Sequence, residues 1–387
     1  MDLPVYLDHA ATTPVAPEVL EAMRPYFSEI YGNPSSIYSL GLAAREAVET
    51  VRETVARLLR ASPEEIVFTS GGTESDNAAI RGAAEANREK GRHLLTTPIE
   101  HSAVLEPFST LARQGFEVET LPVDGDGRVY PQEVARRLRP DTTLVSVMAA
   151  NNEIGTVEPI SEVGALCRAQ GVLFHTDAVQ AFGKLPLDVR AMQIDLLSLS
   201  AHKLYGPKGI GALYVRRGIG WTRFQEGGDQ EKGRRGGTLN VPGIVGLGKA
   251  AEIAGGEMES EAARLRALRD RFLTRLEAEI PGARIFGSRT ERLPNNIHFC
   301  VEGVEGESML LALDAAGICA SAGSACSAGS TEPSHVLLAL GVSRELARGA
   351  LRLTMGRQTT AESLDYTLET LAAIVCDLRA LGRPPGR

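Results

Sequence analysis

The sequence predicts an α/β protein: a large unit built on a mostly parallel, helix-covered sheet, joined to a smaller C-terminal α/β unit. Two observations predict this. Through the first two-thirds of the 387 residues, short apolar strands alternate with stretches of helical periodicity, as a parallel sheet covered by helices requires. After about Gly255 the texture changes to a long charged helix followed by shorter strands and helices, which marks a second, smaller core. A chain of this length can bury both.

The elements follow in order. Ser35 to Leu59 reads as a helix. Ser62-Pro63-Glu64-Glu65 has capping-box spacing, but the run behind it, Ile66 to Thr69, has the texture of a strand. Glu74 to Lys90 is helical; His93 to Thr97, Thr143 to Ala149, Val172 to Thr176, Asp195 to Leu199 and Gly211 to Val215 complete the first set of strands. Beyond them come a helix over Glu257 to Glu279, a strand over Ile297 to Val301, a helix over Glu307 to Ala316, a strand over Leu351 to Met355 and a helix from about Thr360.

Composition narrows the function. The net charge of -8 disfavours nucleic acid and anionic membrane as partners. No apolar run reaches the roughly 18 residues that span a bilayer, and Met1-Asp2-Leu3-Pro4 begins no signal peptide, so a cytoplasmic enzyme is expected. Five cysteines, widely spaced and without a Cys-x-x-Cys pair, point away from disulfide staples and from a metal site. Four of them sit in apolar settings. The fifth, Cys326, lies in Ser321-Ala322-Gly323-Ser324-Ala325-Cys326-Ser327-Ala328-Gly329-Ser330, a stretch with too little bulk for a core that reads as a flexible loop presenting a thiol.

Chemistry-bearing residues gather where strands end, which is where an open α/β sheet binds its ligands. The apolar run Leu197 to Leu199 leads into Ser200-Ala201-His202-Lys203 and a Gly/Pro turn, placing Lys203 at the tip of a buried strand as a candidate amine nucleophile. Ser70-Gly71-Gly72-Thr73-Glu74 follows a strand and opens a helix, an anion site suited to phosphate or a plain connection. Asp177 closes another strand; a carboxylate buried there needs a cation, and a protonated pyridine nitrogen is one. Taken alone it is equally a helix cap. Gln180 could donate to a phenolic oxygen, and His101 and Asn152 stand at two further strand ends.

In this order and spacing these residues resemble the pyridoxal-phosphate-dependent cysteine desulfurases of the NifS/IscS type, class-V aminotransferases of fold type I. The resemblance runs nearly end to end: Tyr6 to Thr13, Gly32 to Ser36, Ser70 to Asn77, Glu100 to Ser102, Asn151 to Gly155, Thr176 to Gln180, Ser200 to Gly209, Arg235 to Pro242 and Ser321 to Leu340. It implies a seven-stranded large domain over residues 14–255, and a small domain made of residues 1–13 and 256–387 that carries the catalytic-cysteine loop.

The resemblance also implies roles. Lys203 would hold pyridoxal 5'-phosphate as a Schiff base, Asp177 would pair with the ring nitrogen, Gln180 with the phenolic oxygen, and His101 would stack on the ring and shuttle protons. Gly72, Thr73, Ser200 and His202 would hold the phosphate, and Thr238 would reach the phosphate of a second subunit, implying a homodimer. Arg352, helped by Asn152 and Asn33, would bind the carboxylate of L-cysteine; a salt bridge within the small domain is the competing role for that arginine, disfavoured by the alternation Leu351-Arg352-Leu353. Cys326 would take the sulfur as a persulfide, leaving L-alanine, and pass it to an acceptor protein such as an iron–sulfur scaffold or a tRNA-thiolation protein.

Two other readings stand beside this one: a selenocysteine lyase or other fold-type I enzyme, and a non-catalytic sulfur-relay or scaffold subunit. The presence of both Lys203 and Cys326 argues against the second. The chain departs from the family pattern at Glu226-Gly227-Gly228-Asp229-Gln230-Glu231, which adds negative charge ahead of Thr238.

Overall fold

The computed structural model describes residues 4–323 and 332–381. Twelve strands are present among them. In chain order they are β1 (Val5–Tyr6), β2 (Ile66–Thr69), β3 (His93–Thr96), β4 (Glu117–Thr120), β5 (Thr142–Ser146), β6 (Leu173–Asp177), β7 (Leu196–Ser200), β8 (Gly211–Val215), β9 (Ala283–Ile285), β10 (Asn296–Val301), β11 (Ile318–Cys319) and β12 (Ala350–Thr354).

Seven strands form the main sheet in the order β2-β8-β7-β6-β5-β3-β4. β8 alone runs against its neighbours β2 and β7; the other six point one way, so their C-terminal ends share one edge of the sheet. That edge is where a helix-covered parallel sheet leaves room for a ligand. The expected seven-stranded, mostly parallel sheet is therefore present. Helices on both faces explain why β2, β3, β5, β7 and β8 are buried at every residue, on both faces of the sheet.

Two differences from the sequence reading have local causes. β4 has the sequence Glu-Val-Glu-Thr and is the exposed edge strand beside β3, its Glu117 paired with Arg139 and its Glu119 with Arg137, so it lacks the apolar signature of its neighbours. The helix expected to start at Glu257 begins at Val241, capped by Asn240, whose Oδ1 accepts the N–H of Gly243 at 3.1 Å. Its first turns are glycine-rich because neighbours press on them. A Cβ on Gly248 would lie 2.4 Å from Val51 Cγ2, and one on Gly246 would lie 2.7 Å from Met23 Sδ. Close packing has overridden a weak intrinsic propensity.

The helix Val241–Glu279 spans two cores. Its Val241, Ile244, Leu247 and Ala250 join the core of the main sheet. Its Leu265, Phe272, Leu273 and Leu276 join a second core with Phe299 of β10, Leu351 and Leu353 of β12 and Leu368 of the closing helix Ala361–Leu381. The second core is roofed by the antiparallel sheet β12-β10-β9. β1 pairs in parallel with β11 and contributes Val5 to this core, with Leu7 beside it. From there residues 8–13 run back across the C-terminal edge of the main sheet, where Thr13 donates its N–H to the carbonyl of His202 at 2.9 Å.

The departure at 226–231 is accommodated without stranding charge. Arg52, over the ring of Phe68, holds the buried Glu231 by paired contacts of 2.7 and 2.8 Å, and Glu231 also accepts the N–H of Phe68. Asp229 is exposed. Arg235 clasps Glu74 on the first turn of the Gly72–Ala86 helix at 2.9 Å, tying this loop to the candidate phosphate site. Among the described residues no helix is long and apolar enough to cross a membrane.

Candidate active site

A cavity of about 290 Å³ opens at the C-terminal edge of the sheet. Ten of the expected residues line it or stand at its mouth as one constellation: Gly72 and Thr73 after β2, His101 after β3, Asn152 after β5, Asp177 and Gln180 at the end of β6, Ser200, His202 and Lys203 at the end of β7, and Arg352 from β12. All of these but Arg352 meet here because parallel strands deliver their C-terminal ends to the same place; Arg352 comes from β12 of the antiparallel sheet.

Lys203 closes a 3-10 turn, Ala201–Lys203, that follows β7 directly. Its Nζ donates to the carbonyls of Ala10 (2.6 Å) and Ala11 (2.8 Å). The carbonyl of Ala10 also accepts from Gln180 Nε2 at 2.9 Å, so Gln180 is held by the N-terminal segment. This contact with residues 8–13 is what the sequence left unread: Tyr6 to Thr13 stood out as a matching segment, but Ala10 and Ala11 act through main-chain carbonyls, which every residue has.

Asp177 is 6% exposed. One carboxylate oxygen accepts the N–H of Val179 at 2.8 Å. Burial pushes its proton affinity up, while that N–H and the nearby His101 and Lys203 pull it down. His101 caps the helix Ser102–Arg113, its Nδ1 accepting the N–H of Ala103 at 3.1 Å, which places the proton of the neutral ring on Nε2. Burial holds this histidine below its ordinary pKa, with the charge of Lys203 adding to the effect and Asp177 opposing it.

The phosphate-type end is built from a helix start and two strand-end side chains. Gly72 is the first residue of the helix Gly72–Ala86, and a Cβ there would meet Val179 Cγ2 at 2.7 Å. Glycine is thus required by close approach of the chain segment that follows Asp177. Burial, followed by the charges of Lys203, Lys208 and Lys184, pushes His202 down to about 4, and its Nδ1 lies 3.1 Å from the hydroxyl of Thr12. A neutral His202 contributes one ring N–H to an anion, beside the exposed N–H groups of the helix start.

Arg352 is 1% exposed, and its two roles turn out to coexist. It lines the cavity, and it is also salt-bridged: Nη2 meets Asp8 Oδ1 at 2.8 Å, and Nη1 donates to the carbonyl of Asn152 at 3.0 Å. The ion pair disfavoured from the sequence is therefore present. Its partner comes from the opposite end of the chain, which strand alternation could not reveal. Asp8 fixes the guanidinium at the cavity wall, where a substrate carboxylate would meet it.

Two expected residues stand apart. Asn33 is exposed and uses its Oδ1 to accept the N–H of Ser35, and Thr238 is exposed; neither lines the cavity of this chain. Cys326 lies outside the described residues. Of the described cysteines, Cys167 and Cys300 are buried, Cys319 is half-buried on β11 and Cys376 is exposed on the closing helix; none lines the cavity.

The cavity fits pyridoxal 5'-phosphate on its own terms. It offers a buried carboxylate for a ring cation, a helix start with a glycine cradle for a phosphate, a lysine for the aldehyde carbon and an imidazole beside them. Among known proteins, residues 5–367 match the aminotransferase class-V family. The chain is 52% identical over 377 residues to a cysteine desulfurase IscS of Dictyoglomus turgidum, covering 97% of this chain and 96% of that one. It is 53% identical over 375 residues to a cysteine desulfurase IscS of Methanosarcina thermophila, covering 97% and 93%. A solved NifS-like protein superposes with a TM-score of 0.91 at 40% identity, over 97% of this chain and 100% of that one. SspA, solved in complex with cysteine, does so with a TM-score of 0.80 at 39% identity, over 91% and 98%. With strand-end lysine, buried aspartate and glycine-led helix start in one cavity, and with such matches over nearly its whole length, the chain belongs to the class-V aminotransferases and, within them, to the pyridoxal-phosphate-dependent cysteine desulfurases of the IscS/NifS type.

Proposed function

We propose that this protein converts L-cysteine to L-alanine and carries the released sulfur as a persulfide on Cys326 for transfer to an acceptor protein. The single observation that carries the chemistry is the convergence of Lys203, Asp177 and Arg352 on one cavity. Pyridoxal 5'-phosphate, when bound, supplies an electron sink for the pair left at Cα when its proton is removed.

The chain's own residues do the rest. Arg352, preset by Asp8, takes the substrate carboxylate and fixes which amino-acid group faces the ring. Asp177 would pair with the ring nitrogen; burial raises its proton affinity, and the Val179 N–H, His101 and Lys203 act in favour of its anion. Lys203 would hold the cofactor's aldehyde carbon and, with its amine free, act as the base that moves the Cα proton; His101, with its proton on Nε2, would pass protons to and from the reacting atoms. Sulfur transfer balances as one exchange: the Cys326 thiolate forms an S–S bond to the substrate sulfur, the Cβ–S bond breaks with its electron pair left on Cβ, the substrate thiol gives up its proton, and Cβ takes up one proton to complete alanine.

The same reading makes the working unit a homodimer. Thr238 lies outside its own chain's cavity, and Phe27, Tyr31, Ile37 and Tyr38 expose large apolar side chains, which supports a partner subunit covering this region and receiving Thr238 at its phosphate site.

The test is a paired assay of alanine and sulfide formed from L-cysteine in the presence of a reducing thiol, with the visible spectrum recorded beforehand. Equal amounts of the two products from a protein with the cofactor's band are expected. The band without the products would move the protein to another reaction of the same cofactor.

Arg352→Lys adds a sharper expectation. Loss of the planar fork should raise KM for L-cysteine about 10- to 100-fold while the cofactor's visible band stays in place. An unchanged KM would leave Arg352 only its pairing with Asp8.

A further inference from the structure

Behind Asp177 the cavity holds a second carboxylate that the reaction above does not use. Asp76 lies on the helix Gly72–Ala86, is 1% exposed and lines the cavity beside Asp177. Its Oδ1 has no hydrogen-bond partner among the described residues. His175, two residues before Asp177 on the same face of β6, brings Nε2 to 3.5 Å from that oxygen, yet its ring is already engaged by Ser198 Oγ at 3.1 Å and Ser146 Oγ at 2.8 Å.

Two buried carboxylates thus share one cavity, and ionising both would place like charges together where solvent screens them poorly. The surroundings decide which of them keeps a proton. Asp177 accepts the Val179 N–H and feels the positive side of His101 and Lys203. Asp76 has only the Ser198 hydroxyl in its favour, while Asp177 and Glu100 both repel its charge. His175 gives no cationic help, since burial pushes it down to about 3 and it is neutral. Groups of this kind titrate as a unit, with one proton affinity raised at the other's expense.

We propose that Asp76 is a positioning residue that carries a proton throughout the enzyme's working range, leaving Asp177 as the sole carboxylate anion facing the bound ring nitrogen. The inference rests on the proposed pyridoxal-phosphate reading of the site. Its consequence is electrostatic: a second anion beside Asp177 would raise the proton affinity of Asp177 and weaken it as the ring's counter-ion, and a neutral acid does not.

The experiment is an infrared spectrum of the wild-type protein and of Asp76→Asn at neutral pH, with and without pyridoxal 5'-phosphate, combined with a pH titration of the bound cofactor's visible band. Asparagine has the shape of the neutral acid. Buried Glu100 and Glu158, both held up to about 8, contribute protonated-acid stretches of their own, so the wild-type minus D76N difference spectrum should show the loss of one such carbonyl stretch, and the titration midpoint of the visible band should be the same in both. No such stretch assignable to Asp76, or a midpoint moved by about one pH unit or more in D76N, would overturn the proposal. Should D76N fail to fold, Asp76→Ser takes its place in the difference spectrum, and carboxyl-13C aspartate labelling of the wild type confirms that the lost stretch belongs to an aspartate and not to Glu100 or Glu158. Neither reading needs turnover, so a protein that passes both yet makes no alanine from L-cysteine would count against the desulfurase reaction and leave the assignment of Asp76 standing.

Discussion

Lys203→Ala is expected to abolish the visible band of covalently held cofactor and to lower alanine formation from L-cysteine by about a thousandfold or more. Two functions are lost together. The ε-amine is the only proposed covalent anchor, and it is the base that moves the Cα proton. The fold should survive, because Lys203 is part-buried and the carbonyls of Ala10 and Ala11 to which it donates can be satisfied by a water at this cavity wall. Adding a small primary amine should restore part of the proton transfer without restoring the band. Survival of the band would move the anchor elsewhere, and Lys184 would be the next residue to test. It is a half-buried lysine close enough to feel the charge of Lys203, its Nζ donates to the carbonyl of Gln180 at 3.0 Å, and desolvation holds it down to about 7, so it too has a neutral amine fraction at working pH.

Cys326→Ala is expected to leave the cofactor's band and the binding of L-cysteine intact and to abolish sulfide release, because no thiol remains to receive sulfur from the substrate. The other cysteines supply the controls. Cys167 and Cys300 are buried in apolar cores that push their thiols far from ionisation, so they cannot serve as thiolate nucleophiles. Burial also raises the Cys319 thiol, with Asp314 and Asp8 adding to the effect, and Cys376 lies on the closing helix. Cys319→Ala and Cys376→Ala should therefore release sulfide at the wild-type rate. Mass spectrometry of the wild type after a single turnover should find one added sulfur on the peptide containing Cys326. Full activity of the Cys326→Ala protein, or the added sulfur on another cysteine, would end the persulfide assignment.

Much of this site is legible in the chain because the chemistry and the local structure share the same few residues. A lysine after a buried strand, an aspartate closing the strand before it and a glycine pair opening a helix are each short-range patterns. The fold type then follows from strand–helix alternation, since only a parallel sheet brings such strand ends to one edge. The unread parts are those without a short-range signature. β4 is polar because it is an edge. The first turns of Val241–Glu279 are glycine-rich because Val51 and Met23 press on them, and that composition hides a helix from any propensity argument.

What the sequence by itself determined is the order of the strands along the chain, the identity of the groups able to act as nucleophile, anchor and carboxylate binder, and the place of each at a strand end. What only the tertiary structure decided is how those groups are charged and held. Asp8 pairs with Arg352, Ala10 and Ala11 grip Lys203, and Asp76 comes to rest beside Asp177. The physical reason is that patterning reports short-range periodicity, while the charge state of a group depends on which distant groups share its dry surroundings, and that is settled only when the chain closes on itself.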